Sequence, residues 1–124
     1  MKLLIVLAAI SMLLTSAGDC SKKTDNKARY KGRFEIAGIC MNYTIQLLEG
    51  TIDSSAIATN WTDEVTGKSY TNVFGLKNPC VIPSTIKQGD EFYFYIDTTK
   101  KKDCIACLAY YPTPPKKLSI IIVQ

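Results

Sequence analysis

The chain contains no histidine. That removes the usual general base and the commonest metal ligand together. It contains one tryptophan, and its seven glycines and five prolines are too few for a low-complexity or collagen-like chain of 124 residues. It has no internal repeat and no stretch with the 3.6-residue apolar period of a helix beyond the leader. Charge of one sign does not dominate: 15 basic residues against 11 acidic ones leave +4. The lysines cluster at 22–23, 100–102 and 116–117, but no cluster interleaves with aromatics. These clusters therefore read as solvated loops, and nucleic acid is not an expected partner. The apolar fraction of 47% is that of an ordinary folded domain.

The longest apolar run, residues 3–14, is too short to span a bilayer and right for the centre of an export signal. Lys2 precedes it, and the small residues Thr15, Ser16, Ala17 and Gly18 follow. Residues 1–19 are therefore expected to be a signal peptide. Cleavage after Ala17 or Gly18 is one outcome, and lipoprotein processing before Cys20 is the other. Residues 14–20 resemble a bacterial lipobox, in which small residues precede the lipid-bearing cysteine; Asp19 departs from it where Gly or Ala is usual. A polar stretch follows Cys20 and suits a flexible tether over 20–31. Lipidation of Cys20 would leave four cysteines, an even number. Export with a lipid on Cys20 is the expectation: a cell-envelope protein, membrane-anchored or periplasmic.

The body, 32–124, reads as strands. Residues 33–36 alternate, and Ala37-Gly38 reads as a bulge or bend. Alternation over 39–48 makes the longest strand candidate, with Cys40 opposite the larger apolar side chains. Residues 56–61 and 69–74 form two strands around a turn in which Gly67 supplies the positive φ, which pairs Trp61 with Tyr70. Residues 78–83 make a rigid connector with two prolines. A turn at 87–90 leads into 91–97, where Phe92, Phe94 and Ile96 share one face and Tyr93 and Tyr95 the other. Residues 104–111 form a further strand candidate. Pro112, Pro114 and Pro115 stop it, and 118–123 is apolar on both faces. The expected fold is all-β: one small domain, an open barrel or sandwich of about six to seven short antiparallel strands.

The chemistry-bearing residues are the cysteines. Cys104 and Cys107 have thiol-oxidoreductase spacing, but that chemistry uses a cysteine at a helix N-terminus, and this pair sits among strand formers. A four-cysteine zinc site would pair two knuckles, whereas Cys40 and Cys80 are scattered. The preferred reading is structural: Cys40, Cys80, Cys104 and Cys107 form two disulfides that staple a small exported domain. Three residues apart in an extended segment, Cys104 and Cys107 point to opposite faces. Each is therefore expected to bond one of Cys40 and Cys80, in either assignment. Asp63-Glu64 and Asp90-Glu91 lie in turns and read as solvated acids. The sequons at Asn42 and Asn60 fall inside strands and read as chance. Trp61, Tyr70, Tyr93, Tyr95, Tyr110 and Tyr111 are the candidate binding surface, with core and cross-strand packing as the competing role.

Several segments, Gly38-Ile39-Cys40-Met41-Asn42-Tyr43-Thr44, Asn78-Pro79-Cys80, Gly89-Asp90-Glu91-Phe92, and the Cys104–Cys107 pair followed by Ala109-Tyr110-Tyr111-Pro112-Thr113-Pro114, resemble small exported lipoproteins common in Bacteroidota-type bacteria. The resemblance covers most of 32–123 and implies location and fold, not a mechanism. The expected function is a non-enzymatic envelope module that binds or builds, without a cofactor. Its partners would be the membrane, through the lipid, and an envelope protein or small ligand. The alternative is an envelope thiol–disulfide oxidoreductase using Cys104 and Cys107.

Overall fold

In the computed structural model, which describes residues 27–99, 104 and 107–124, the strand 91–96 forms around its alternation. Phe92 and Phe94 point into the core, and Tyr93 and Tyr95 are half-buried on the other face. Phe94 is the hub: its ring centroid lies 5.5 Å from Tyr30, 5.8 Å from Phe74 and 5.9 Å from Phe92. Phe34, Ile45, Ile57, Leu76 and Ile120 complete the buried cluster, and Ile96 and Ile122 pack against it.

Seven strands make one sheet: β1 (Tyr30–Gly38), β2 (Asn42–Glu49), β3 (Ala58–Thr62), β4 (Ser69–Leu76), β5 (Glu91–Ile96), β6 (Lys117–Leu118) and β7 (Ile120–Ile122). The order is β3-β4-β2-β1-β5-β7, with every neighbour antiparallel and β6 lying parallel to β4. Strands β6 and β7 are one extended stretch interrupted at Ser119. Its first half bonds β4, through Gly75 N–H to Lys116 O at 2.9 Å and Lys77 N–H to Leu118 O at 2.8 Å. Its second half bonds β5, through Asp97 N–H to Ser119 O at 2.8 Å and Val123 N–H to Tyr93 O at 2.9 Å. The C-terminal stretch thus joins both ends of the run β4-β2-β1-β5 and closes it into a barrel. With β3 set aside, β5-β1-β2-β4 is a Greek key: three strands in succession and a fourth returning beside the first. Of the two architectures expected from sequence, the barrel is the one found.

Where Pro79 ends β4, Asn78 extends the ladder with its side chain. Its Nδ2 donates to Ile120 O at 2.8 Å, and its Oδ1 accepts from Ile120 N–H at 2.9 Å. The amide does the work of a backbone group that a proline could not supply.

Several sequence expectations shift. β1 starts at Tyr30, ahead of the alternation at 33–36, and its irregularities fall at 31–32 and 34–36 instead of 37–38. The strand expected over 39–48 starts at Asn42, because Ile39–Met41 is a 3-10 turn that reverses the chain between β1 and β2. Cys40 and Met41 take positive φ there, 55° and 58°. The 56–61 strand is found at 58–62. No strand forms in the described part of 104–111; residues 107–116 make a strap instead. The last strand is not buried on both faces, since Ile121 is exposed while Ile120 is buried. Among the described residues no helix exceeds a 3-10 turn of three residues, and none is long and apolar enough to cross a membrane. The signal peptide 1–19, Cys20 and most of the 20–31 tether lie outside the described residues, as does most of the 100–102 lysine cluster's loop.

Candidate functional site

Cys107 opens the strap on the outside of the barrel, and Cys104 stands ahead of it. Cys107 bonds Cys40 in the 39–41 turn, and Cys104 bonds Cys80 in the turn after β4, with Cα separations of 5.2 Å and 5.9 Å. Each cysteine of the pair has its own distant partner, as expected from sequence. Two disulfides fit an oxidising, exported environment.

Further bonds hold the strap down. Asn42 Nδ2 donates to Ala109 O at 2.9 Å. The hydroxyl of Tyr110 donates to Glu64 Oε1 at 3.1 Å, and that of Tyr111 to Asp63 Oδ2 at 2.9 Å. Pro112 and Pro114 are buried, two residues that bring no N–H needing a partner. Below the strap, Gly38 leaves room for the Tyr111 ring: a Cβ there would stand 2.9 Å from it and 2.5 Å from Asn42 O.

The other wall is the β3–β4 turn. Asp63 N–H donates to Lys68 O at 2.8 Å, and Gly67, at φ 75°, donates its N–H to Asp63 O at 2.7 Å. The Asp63 carboxylate turns inward, accepting from Val65 N–H at 2.9 Å as well as from Tyr111. It is 1% exposed, so the solvated-loop reading of this acid is corrected. An Asx turn closed by a glycine four residues on was the sequence signal for it. Burial alone would raise the Asp63 carboxyl, but the Val65 N–H, the Tyr111 hydroxyl and Thr66 more than offset it and hold it below the ordinary value. The same bond raises the Tyr111 phenol. Burial, with Glu35 and Asp63 nearby, raises Tyr70, and the bond to Glu64 raises Tyr110.

Between these walls lies a cleft of about 250 Å³, lined by Glu35 to Ile39 of β1 and its turn, by Asp63, Thr66 and Tyr70, and by Gln88 and Tyr111. Glu35 and Gln88 were not singled out in sequence, and Asp63 was set aside there as a solvated acid. Glu35 alternates with the core residues Phe34 and Ile36, which placed it on the outer face but not beside residues some thirty positions away. Arg33 bonds Glu35 Oε1 at 3.2 Å and Glu91 Oε1 at 3.1 Å, and these carboxylates hold its guanidinium above its ordinary value.

The six aromatics proposed as one surface divide. Trp61 and Tyr70 pair across β3 and β4, with ring centroids 6.0 Å apart, and Tyr110 and Tyr111 reach the same turn from the strap. Tyr93 and Tyr95 belong to β5, where the Arg29 guanidinium carbon lies 3.9 Å from the centroid of Tyr93 and Tyr95 pairs with Ile121. They form no part of the cleft. Among the described residues, no group of three or more Cys, Asp or Glu is arranged to hold a metal ion. Neither a protein-family model, a curated protein nor a solved structure matches the chain.

Proposed function

We propose that the mature chain is a non-enzymatic binding module of the cell envelope, held at a membrane by a lipid on Cys20, with the cleft beneath Tyr111 as its ligand site. The observation that carries this reading is the double staple. Both halves of the Cys-x-x-Cys pair are used: Cys107 fixes the start of the strap, Cys104 ties down the chain ahead of it, and the strap in turn holds Tyr111 on Asp63 at the cleft wall. A rigid wall of aromatic and carboxylate groups is what a binding site needs, because little ordering entropy is lost on association. Five-stranded Greek-key barrels elsewhere bind oligosaccharides and oligonucleotides. Such folds host many activities, so the ligand has to be argued from the cleft itself.

The oxidoreductase alternative requires Cys104 and Cys107 to exchange as one pair. Their bonds to Cys80 and Cys40 favour the structural role instead. A photo-crosslinking residue at Thr66, on the cleft, compared with one at Thr51, on an exposed loop, tests the reading in intact cells. Adducts from the Thr66 position alone, and release of the protein from the detergent phase by Cys20→Ala, are the expected results. Equal labelling from both positions, or turnover of a disulfide substrate by the purified protein, overturns it.

A further inference from the structure

The charges that line the cleft are already matched within the protein. Asp63 is buried and accepts from Val65 N–H and from the Tyr111 hydroxyl. Glu35, its side chain 13% exposed, holds Arg33 at 3.2 Å. A cation entering here would have to displace bonds that are made, and such an exchange gains little net energy. An anion would meet both carboxylates, and neither lysine nor arginine is among the lining residues to receive it. The ligand that the cleft suits is therefore neutral.

The groups left open there are neutral too. The Tyr70 hydroxyl has no hydrogen-bond partner among the described residues. Glu35 and Asp63 both act on it electrostatically, which sets it between the walls, and burial keeps it protonated as a donor. Trp61 and the Lys68 ammonium flank its ring, at 6.0 Å and 5.1 Å between centres, so its hydroxyl end is what remains for a ligand. Gln88 is exposed and half used. Its Oε1 accepts from Ala37 N–H at 2.9 Å, which fixes the amide on β1, while Nε2 has no partner among the described residues. Carbon surface comes from the Tyr111 ring, whose hydroxyl is tied to Asp63, and from Ile39, which is exposed. A wholly apolar ligand would cover the Tyr70 hydroxyl and the Gln88 amide and leave both without water or partner. At about 250 Å³ the cleft falls below the roughly 300–1,000 Å³ usual for drug-sized ligands, so it takes one small ring rather than several.

We propose that the cleft binds a neutral sugar ring, with its hydroxyls on Tyr70 Oη and Gln88 Nε2 and its C–H face against Tyr111 and Ile39. A sugar hydroxyl both donates and accepts, so it suits a phenol and an amide N–H alike. Its C–H groups pack on an aromatic surface without needing a charge. The same groups are presented by a free sugar and by one unit of a glycan chain, so the site's chemistry is common to the two sources. The inference rests on the cleft being a binding site.

The probes are the methyl glycosides of glucose, galactose, mannose and N-acetylglucosamine, with glucuronate and glucosamine as the charged counterparts. Binding to the full chain is read from the amide resonances of Gly38 and Thr66 and from the fluorescence of Trp61, the single tryptophan, which lies beside Tyr70. At least one neutral glycoside is expected to shift both amides with millimolar affinity, the strength that ligand efficiency allows so small a molecule. Glucuronate binds several-fold more weakly, glucosamine no more tightly, and added salt leaves the neutral sugar's binding unchanged. Tyr70→Phe keeps the ring and is expected to weaken binding about fivefold, the scale of one hydrogen bond, while the remaining spectrum stays native. Tyr95→Phe, on β5 away from the cleft, leaves binding as it was. Short chains of the sugar that binds separate the two sources: tighter binding of the chain supports a glycan, and equal binding supports the free sugar. No shift from any neutral glycoside, binding that Tyr70→Phe leaves unchanged, or tighter binding of a charged counterpart overturns the inference. If crosslinked adducts still form from Thr66 in that event, the binding reading stands and only the sugar falls; if they too are missing, both fall.

Discussion

Thr44 is completely buried on the outer face of β2, and its hydroxyl has no hydrogen-bond partner. It stands opposite Gly75 in the β2–β4 ladder, and a Cβ at Gly75 would meet Thr113 at 3.3 Å, so the strap lies over this spot. A buried hydroxyl without a partner loses its hydration and gains nothing in return. Thr44→Val keeps the branched shape and removes that group. It is expected to stabilise the domain by about 1 kcal/mol, measured as a raised midpoint in urea; a lowered midpoint would mean that the hydroxyl is bonded. Asp63 presents the opposite case, a buried acid with its bonds made. Its carboxyl is held below the ordinary value when folded, so the stability it supplies is present above the unfolded value, near 3.9. That stability is lost as pH falls through the lowered folded value. Tyr111 works in reverse: its phenol is raised when folded, so its contribution is present below about 10 and is lost as pH climbs through the raised value. Asp63→Asn is expected to lower stability at neutral pH and to flatten the acid limb of the stability profile. An unchanged acid limb would show that other carboxylates set it.

At the scale of elements, the strands with clean alternation were legible and the connecting devices were not. β5 and the β3–β4 hairpin follow from period-two patterning bounded by Gly89 and Gly67, both at positive φ. The Trp61–Tyr70 pair followed from the turn length. The 39–41 reversal was hidden because apolar alternation runs straight through it, while two successive left-handed residues turn the backbone. A strand over the whole of 39–48 would have been longer than the usual 5–6 residues, and that was the available warning. The strap was misread for a related reason: aromatics and small apolar residues fit a pleated surface, but here they are fixed by side-chain bonds and disulfides, not by a ladder. The cleft was only half legible, since aromatics draw notice and a turn aspartate does not. Gly38→Ala tests the strap as an element. The added methyl meets Asn42 O and the Tyr111 ring, so the strap must lift or β1 must shift. The expected loss is about 1–3 kcal/mol, typical of overpacking. Weakened hydrogen-exchange protection is expected at Lys77 and Gly75, whose N–H groups bond the chain that leaves the strap. A loss near zero would place Tyr111 away from Gly38 in solution.

For the whole molecule, the closing ladder of β6 and β7 and the two disulfides act on different parts of the same problem. A domain of this size has a modest core, and among the described residues eight make up the buried apolar cluster. Exposed ion pairs such as Arg33–Glu91 and Lys31–Glu49 add little, because solvent screens them. The disulfides contribute mainly by restricting the unfolded chain. Cys40 and Cys107 are 67 positions apart, and Cys80 and Cys104 are 24. Loop-closure entropy then assigns roughly 4 kcal/mol to the longer link and roughly 3.5 kcal/mol to the shorter, each on its own. The near equality follows from the logarithm: more than doubling the loop adds under about 1 kcal/mol. The two links differ more in what they hold. The Cys40–Cys107 bond pins the strap onto the β1–β2 turn beside the cleft, whereas Cys80–Cys104 ties the chain ahead of the strap to the 3-10 turn after β4. Replacing both cysteines of each pair by alanine is therefore expected to lower the unfolding free energy by similar amounts. Only the Cys40/Cys107 double variant should free the Tyr110 and Tyr111 hydroxyls from Glu64 and Asp63, moving both phenol titrations back toward the ordinary tyrosine value near 10. Spectroscopic titration of the tyrosines beside urea unfolding separates the two effects. If the Cys80/Cys104 variant moves those titrations equally, the strap is held by the barrel as a whole rather than by its own staple.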